Sequence, residues 1–167
     1  MDSLKTHGNL IHLAEQVGAA LSRKEWMLAT AESCTGGWIA QSLTEIAGSS
    51  GWFDRGFVTY SNAAKTDMLG VDGGLIATQG AVSEGVVLAM AAGALRFSQA
   101  KVAVAVSGIA GPTGGTPGKP VGTVWFAWQV QGVKAVAHCE VLSGDRHEVR
   151  RQAVIIALRG VLDLLEA

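Results

Sequence analysis

Four side chains in this sequence could form a hydrolytic site: Ser33, Lys65, Tyr60 and Arg146. Ser33 lies in Ala31-Glu32-Ser33-Cys34-Thr35-Gly36-Gly37, where apolar residues lead in and a helical pattern leads out. A serine there can act as a nucleophile beside the unpaired N–H groups of a helix start, which carry the positive end of the helix dipole. Gly36 and Gly37 let a ligand come close to those groups. The N–H groups of Thr35–Gly37 are candidate oxyanion donors. Lys65 can take the nucleophile's proton if burial lowers its pKa, and Tyr60 can relay that proton or hold Lys65. Each residue also has an ordinary reading: a turn serine, a solvated lysine, an edge-packing tyrosine.

Two rivals to Ser33 stand in the chain. Cys34 would profit from a helix N-terminus as a thiolate, but no histidine is near it in sequence. His7, His12, His138 and His147 have no carboxylate partner that the sequence identifies. Ser50 lies at the far end of the helix expected to start at Thr35, roughly 20 Å away at 1.5 Å per residue. Arg146 and Arg150 sit one turn apart at the start of the last helix, an end that disfavours cations. A bound phosphate would resolve that conflict; two solvated arginines are the plain alternative. No His/Asp/Glu cluster has metal-ligand spacing, so no metal is expected, and hydrolysis by a serine nucleophile needs no cofactor.

These residues need elements to carry them. Leu10, Leu13, Ala14, Val17 and Leu21 predict an amphipathic helix over 8–23. Trp26-Met27-Leu28-Ala29-Thr30 reads as a short buried strand continuing to Ala31. A helix from Thr35, as N-cap, to about Ala47 follows, closed by Gly48. Gly56–Tyr60 is a second strand, and Asn62 is placed to cap a short helix containing Lys65 and Met68. Ser83 caps the next helix, with Val86, Val87, Met90, Ala91, Ala94 and Leu95 on its apolar face. Lys101–Ser107 suits a strand buried on both faces and runs into the loop Gly108-Ile109-Ala110-Gly111-Pro112-Thr113-Gly114-Gly115. Val121–Gln129 and Val133–Leu142 form an antiparallel hairpin. Val149, Ala153, Ile156, Ala157, Gly160, Val161 and Leu164 share one face of the last helix.

Alternating strands and helices with a late hairpin predict an α/β fold: a three-layer α/β/α sandwich around a five-stranded, mostly parallel sheet with one antiparallel strand. Right-handed crossovers would bring the Ser33 turn, the Tyr60–Lys65 segment and the Gly108–Gly115 loop to one edge. The fifth strand would deliver Asp145 and Arg146 there.

The chain has 167 residues, 13 Lys and Arg against 14 Asp and Glu, and a net charge of −1. That size fits one domain over 1–167, and the near-neutral balance argues against nucleic-acid binding. No apolar run reaches membrane-spanning length, and Met1–His12 does not read as a secretory signal. Two cysteines make no disulfide framework, so a reducing, cytoplasmic home is expected. Trp125, Phe126 and Trp128 alternate along one strand, putting large aromatics on both sheet faces. A second copy of the chain is expected to cover one such face or the sheet edge, giving a homo-oligomer.

Together, AESCTGG (31–37), AGSS (47–50), GFVTYSNAAK (56–65), GAVSE (80–84), SGIAGPTGG (107–115), KPVGTVW (119–125) and SGDR (143–146) resemble the C-terminal domain family of the competence/damage-inducible protein CinA. The match runs over nearly the whole chain. It implies an amidohydrolase that converts nicotinamide mononucleotide to nicotinate mononucleotide and ammonia, in the stand-alone form rather than fused behind a molybdopterin-binding-like domain. It also implies an α/β/α sandwich, agreeing with the hairpin argument. Ser33, Tyr60 and Lys65 would carry the reaction. Substrate would be bound by Glu32, Thr35, Gly36, Gly37 and Asn62, by Ser107, Gly108, Gly111 and Thr113 of the glycine-rich loop, and by Arg146. Non-catalytic alternatives are a nucleotide-phosphate binding module and an interaction protein using the Trp125/Trp128 hairpin.

Overall fold

The computed structural model describes residues 2–167, with side chains from Asn9 onward; the side chain of His7 lies outside the described residues. The elements in order are α1 (Asp2–Lys24), β1 (Leu28–Glu32), α2 (Trp38–Thr44), β2 (Phe53–Val58), α3 (Asn62–Leu69), α4 (Gly73–Gln79), α5 (Glu84–Arg96), β3 (Val102–Gly108), β4 (Thr123–Val130), β5 (Val136–Val141) and α6 (Arg146–Glu166). The strands form one sheet in the order β2-β1-β3-β4-β5. β1 pairs in parallel with both β2 and β3, while β3–β4 and β4–β5 are antiparallel. Four strands therefore run the same way and β4 alone opposes them, the one antiparallel strand expected; by pairs the sheet is mixed, with two neighbouring pairs parallel and two antiparallel.

Alternation along the strands divides the core in two. Val102, Val104 and Val106 of β3 join Leu28, Phe126 and Trp128 in a cluster with α1, α2 and α6. The intervening Ala103 and Ala105 join Ala29, Ala31 and Ala127 against α5. Such a floor of small side chains lets α5 sit close to the sheet, since packed interiors leave little unfilled space. Gly93 of α5 approaches α3 closely: a Cβ there would lie 2.1 Å from the Leu69 carbonyl oxygen. On the other face Gly160 of α6 makes room for the Trp128 indole, whose Nε1 donates to the Ala157 carbonyl at 2.9 Å. Phe126 and Trp128 stack, with centroids 5.7 Å apart, while Trp125 packs against the α5 side. Both faces of the aromatic strand are thus covered from within the chain. Within the sheet, the exposed large apolar side chains lie on the two edge strands: Val58 on β2, Val136 and Val141 on β5.

Several boundaries depart from the sequence reading. α1 begins at Asp2 rather than at 8. β1 and β2 are displaced by about two residues, in opposite directions, from the expected strands. α2 starts at Trp38, not at Thr35, and its N-cap is Gly37 with φ of 99°, which has no capping side chain. Two left-handed glycines in a row, Gly36 and Gly37, make a turn where a helix start was expected. α2 also ends at Thr44, and Gly48 precedes a 3-10 turn, Ser49–Gly51, instead of closing the helix. Ser61, not Asn62, caps α3: its Oγ accepts from the Ala64 N–H at 3.0 Å. Both residue types cap well, so sequence could not choose between neighbours. α4 was not expected; Gly73 and Gly74 hide it, and Asp72 caps it by accepting from the Gly74 N–H at 3.1 Å.

Candidate active site

β1, β2 and β3 point their C-terminal ends the same way, and the chain segments beyond them meet there. Ser33 follows β1 directly, its N–H donating to the Val106 carbonyl of β3 at 3.0 Å. The segment after β2 is pinned to the same place by Thr59, whose N–H donates to the Glu32 carbonyl at 2.8 Å. α3 then returns Lys65 towards β1. Lys65 is 1% exposed and among the largest fully buried side chains of the protein. Its Nζ donates to the Thr59 carbonyl at 2.8 Å and the Tyr60 carbonyl at 3.2 Å, and stands 3.0 Å from Ser33 Oγ. Burial holds the Lys65 amine below the ordinary lysine range, with the neighbouring Cys34 opposing weakly. A buried lysine without an acidic partner in contact is a functional candidate.

A cavity of about 270 Å³ opens over this pair, walled by Ser33, Cys34, Tyr60, Asn62, Lys65, Ala81, Val82, Ser107, Gly108, Ala110 and Arg146. Seven of the residues expected in the site therefore meet: Ser33, Tyr60, Asn62, Lys65, Ser107, Gly108 and Arg146. Glu32, Thr35, Gly36, Gly37, Gly111 and Thr113 are not in the wall. Glu32 is fully buried behind the turn, where its carboxylate accepts from the Thr35 hydroxyl at 2.7 Å and the N–H groups of Ile39 and Ala40 at 2.9 and 3.0 Å. It supplies to α2 the cap that Gly37 cannot. The Gly36 N–H donates to the Ser33 carbonyl. The Gly111 carbonyl accepts from Arg146 Nη1 at 2.8 Å, and Thr113 is exposed further along the loop.

Tyr60 divides its contributions. Its carbonyl holds Lys65, whereas the residue as a whole is 62% exposed and its hydroxyl accepts from Arg146 Nη2 at 3.2 Å. Tyr60 OH and Arg146 together form one rim of the cavity. Arg150, expected beside Arg146 at a phosphate, does not reach the wall; it donates to the carbonyls of Cys34 and Thr35.

The rivals separate by position. Burial pushes the Cys34 thiol up to about 11, with Arg150 opposing, so a thiol and not a thiolate faces the cavity. Ser50 is exposed in the 3-10 turn. The Leu28 N–H donates to the Trp52 carbonyl at 2.8 Å, which places that turn at the opposite end of β1, about 17 Å of strand from Ser33 at 3.3 Å per residue. His12 and His138 have carboxylate neighbours that the sequence did not identify, Glu15 at 3.7 Å and Glu140 at 2.7 Å. Both pairs are exposed and absent from the cavity wall. Among the described residues no three His, Cys, Asp or Glu are grouped to hold a metal ion, and no helix is long and apolar enough to cross a membrane.

Sequence reading passed over the 81–82 segment, which the Ser107 hydroxyl holds in the wall by donating to the Ala81 carbonyl at 2.8 Å. Its signal was present in GAVSE but had no chemistry attached. The carbonyls of Thr59 and Tyr60 were also missed, because a backbone oxygen has no residue type to read.

The CinA C-terminal domain profile matches residues 10–165. The chain is 55% identical over 154 residues to the nicotinamide-nucleotide amidohydrolase PncC of Escherichia coli K12, covering 92% of this chain and 93% of that protein. It is 54% identical to PncC of Pseudomonas putida, covering 91% and 94%. A CinA-like protein of Akkermansia muciniphila matches at 52% identity, but there the chain spans only 36% of the longer relative. Among solved structures, the competence/damage inducible protein CihA from Agrobacterium tumefaciens superposes with a TM-score of 0.91 at 47% identity, covering 95% of this chain and 96% of that one.

Proposed function

The chain belongs to the CinA C-terminal domain family, and from that membership and the geometry of its cavity we propose that it is a nicotinamide-nucleotide amidohydrolase with Ser33 as nucleophile. The substrate is nicotinamide mononucleotide, and the products are nicotinate mononucleotide and ammonia. The observation that carries this reading is the buried Lys65 Nζ, 3.0 Å from Ser33 Oγ with no acid beside it. A neutral amine has two N–H groups and one lone pair. The Thr59 and Tyr60 carbonyls take the two N–H groups, which turns the lone pair to the serine hydroxyl.

The steps follow from that orientation. Ser33 Oγ attacks the carboxamide carbon as Lys65 accepts its proton. The carbonyl electron pair moves onto oxygen. Of the turn amides, that of Cys34 belongs to a residue in the cavity wall, and it takes the oxyanion. When the tetrahedral species collapses, the C–N bond breaks and Lys65 returns its proton to the leaving nitrogen, releasing ammonia. Water then attacks the acyl ester, again giving its proton to Lys65, and Ser33 is regenerated. Tyr60 takes part through its carbonyl, which orients Lys65. Its hydroxyl and Arg146, at the rim, receive the phosphate. Asn62, Ser107 and Gly108 shape the space between. The whole route runs in a three-layer α/β/α frame, and self-association uses the exposed edge strands rather than the covered aromatic faces.

The deciding assay is ammonia release from nicotinamide mononucleotide by the purified chain, with the pyridine product identified as the acid. Tight nucleotide binding without ammonia would replace this reading with a nucleotide-phosphate binding module.

A further inference from the structure

Arg150 lies one turn into α6 and directs its guanidinium at the turn that carries Ser33. Nε donates to the Cys34 carbonyl at 2.9 Å and Nη2 to the Thr35 carbonyl at 3.2 Å. The group also lies over the Trp38 ring, 5.5 Å from its centroid, and that ring contacts His147 in turn. Gly36, at a φ of +60°, lies against the guanidinium: a Cβ there would stand 3.4 Å from Nη2. The same turn is gripped from within by the Glu32 carboxylate, through the Thr35 hydroxyl and the first N–H groups of α2. So a segment with two left-handed glycines and no N-cap side chain is held between an anion and a cation on separate elements. Unlike Arg146, Arg150 does not border the cavity.

We infer that Arg150 is a positioning residue of the amide hydrolysis: by fixing the Cys34 and Thr35 carbonyls it sets Ser33 Oγ against Lys65 without touching substrate. This rests on Ser33 being the nucleophile. Arginine suits the role because its planar fork serves two carbonyls at once, which a lysine ammonium on a flexible stem does not. A misplacement of about 1 Å at a reacting atom costs on the order of a hundredfold in rate.

The test compares Arg150→Lys and Arg150→Met with the unaltered chain by two readouts. The first is steady-state hydrolysis of nicotinamide mononucleotide and of the dephosphorylated riboside. The second is the rate at which iodoacetamide alkylates Cys34 in the native protein, followed on its own peptide to separate it from Cys139. Both variants should lose kcat by roughly a hundredfold, with KM held within about twofold and the same loss on both substrates. Cys34 should be alkylated at least about tenfold faster in Arg150→Lys. That variant keeps the nearby positive charge, so its faster alkylation reports an opened turn rather than a changed thiol acidity. A rise in KM for the mononucleotide alone would make Arg150 a phosphate ligand and overturn the inference. So would full kcat in Arg150→Lys, unchanged Cys34 alkylation, or loss of the fold in both variants, because the role assigned is local to the turn. If the unaltered chain releases no ammonia, the amidase reading falls, and the alkylation rates still decide whether Arg150 holds the turn.

Discussion

Lys65 Nζ lies 3.0 Å from Ser33 Oγ, and its other two hydrogen-bond partners are both backbone carbonyls of the residues that follow β2. The lysine reaches the serine from a different strand connection, so the pair exists only once β1 and β2 are aligned side by side. As the proposed dyad it would depend on sheet pairing more directly than a dyad within one helix.

Ser33→Ala should lower kcat by a thousandfold or more while leaving nucleotide binding largely intact. Lys65→Met should lose nearly as much, since the two act as a unit, and the double variant should be little worse than either. Ser50→Ala and Cys34→Ala should keep most of the activity. Single-turnover ammonia release, with binding followed by calorimetry, measures all five. A dead Ser50→Ala beside an active Ser33→Ala would move the site to the other end of β1.

Much of this was legible in the sequence, and for a definable reason. The Val-Ala alternation of β3 and the breaks after each strand are periodic, local signals, and they placed Ser33, Tyr60, Ser107 and Arg146 at one sheet edge. What sequence could not give was direction. Thr35 read as a helix cap, yet its hydroxyl turns to Glu32, because the glycines that follow bend the chain before the helix begins. Tyr60 and Lys65 read as partners through the phenol; the contact is through the carbonyl, and the phenol swings to Arg146. Arg146 and Arg150 share a helix face in spacing, but the second meets the Ser33 turn before it can meet a ligand.

The lowered pKa of Lys65 has two consequences in pH. With Lys65 as the proposed base, activity would require the neutral amine, so kcat should climb with rising pH and level off below the roughly 10.4 of an ordinary lysine. Stability carries the opposite side of the same shift. Between the folded and unfolded lysine values the unfolded chain binds the extra proton, so folding is penalised most at lower pH and the penalty fades as pH rises to the unfolded value. Lys65→Met should therefore be more stable than the unaltered chain at neutral pH, by a margin that shrinks towards pH 10. Thermal melts across that range check the sign. A margin that widened with pH would mean that Lys65 is held charged in the fold.

At the rim, Tyr60→Phe removes the hydroxyl that meets Arg146 and leaves the carbonyl that holds Lys65. It should raise KM for the mononucleotide by about three- to tenfold with kcat within about twofold, in keeping with the net loss of one hydrogen bond at an exposed rim. Arg146→Ala should raise that KM further and leave the riboside nearly untouched. If Tyr60→Phe instead abolished kcat with KM unchanged, the phenol would be the proton relay and the carbonyl role would be secondary.

Glu32 tests whether the nucleophile turn is held by its surroundings or by itself. Its carboxylate is fully buried, lies behind the cavity wall, and accepts from the Thr30 and Thr35 hydroxyls and from two N–H groups of α2. Glu32→Ala would strand those donors in a dry interior, at about 1–3 kcal/mol for each buried donor left unpaired. Some of that is recovered if water enters, so a net loss of about 3–5 kcal/mol is expected, as when a buried charged network loses a member. For a chain of this length that lowers Tm by roughly 6–20 °C. Glu32→Gln keeps one acceptor oxygen but turns an NH2 group towards the N–H groups, so it should fall between. Both should lose kcat along with stability, because Ser33 is the next residue and its turn loosens when α2 loses its cap. A substrate ligand would behave differently: Tm would hold while KM rose. Circular-dichroism melts run beside initial rates on the same preparations separate the two, and an unshifted Tm with a raised KM would return Glu32 to the binding site.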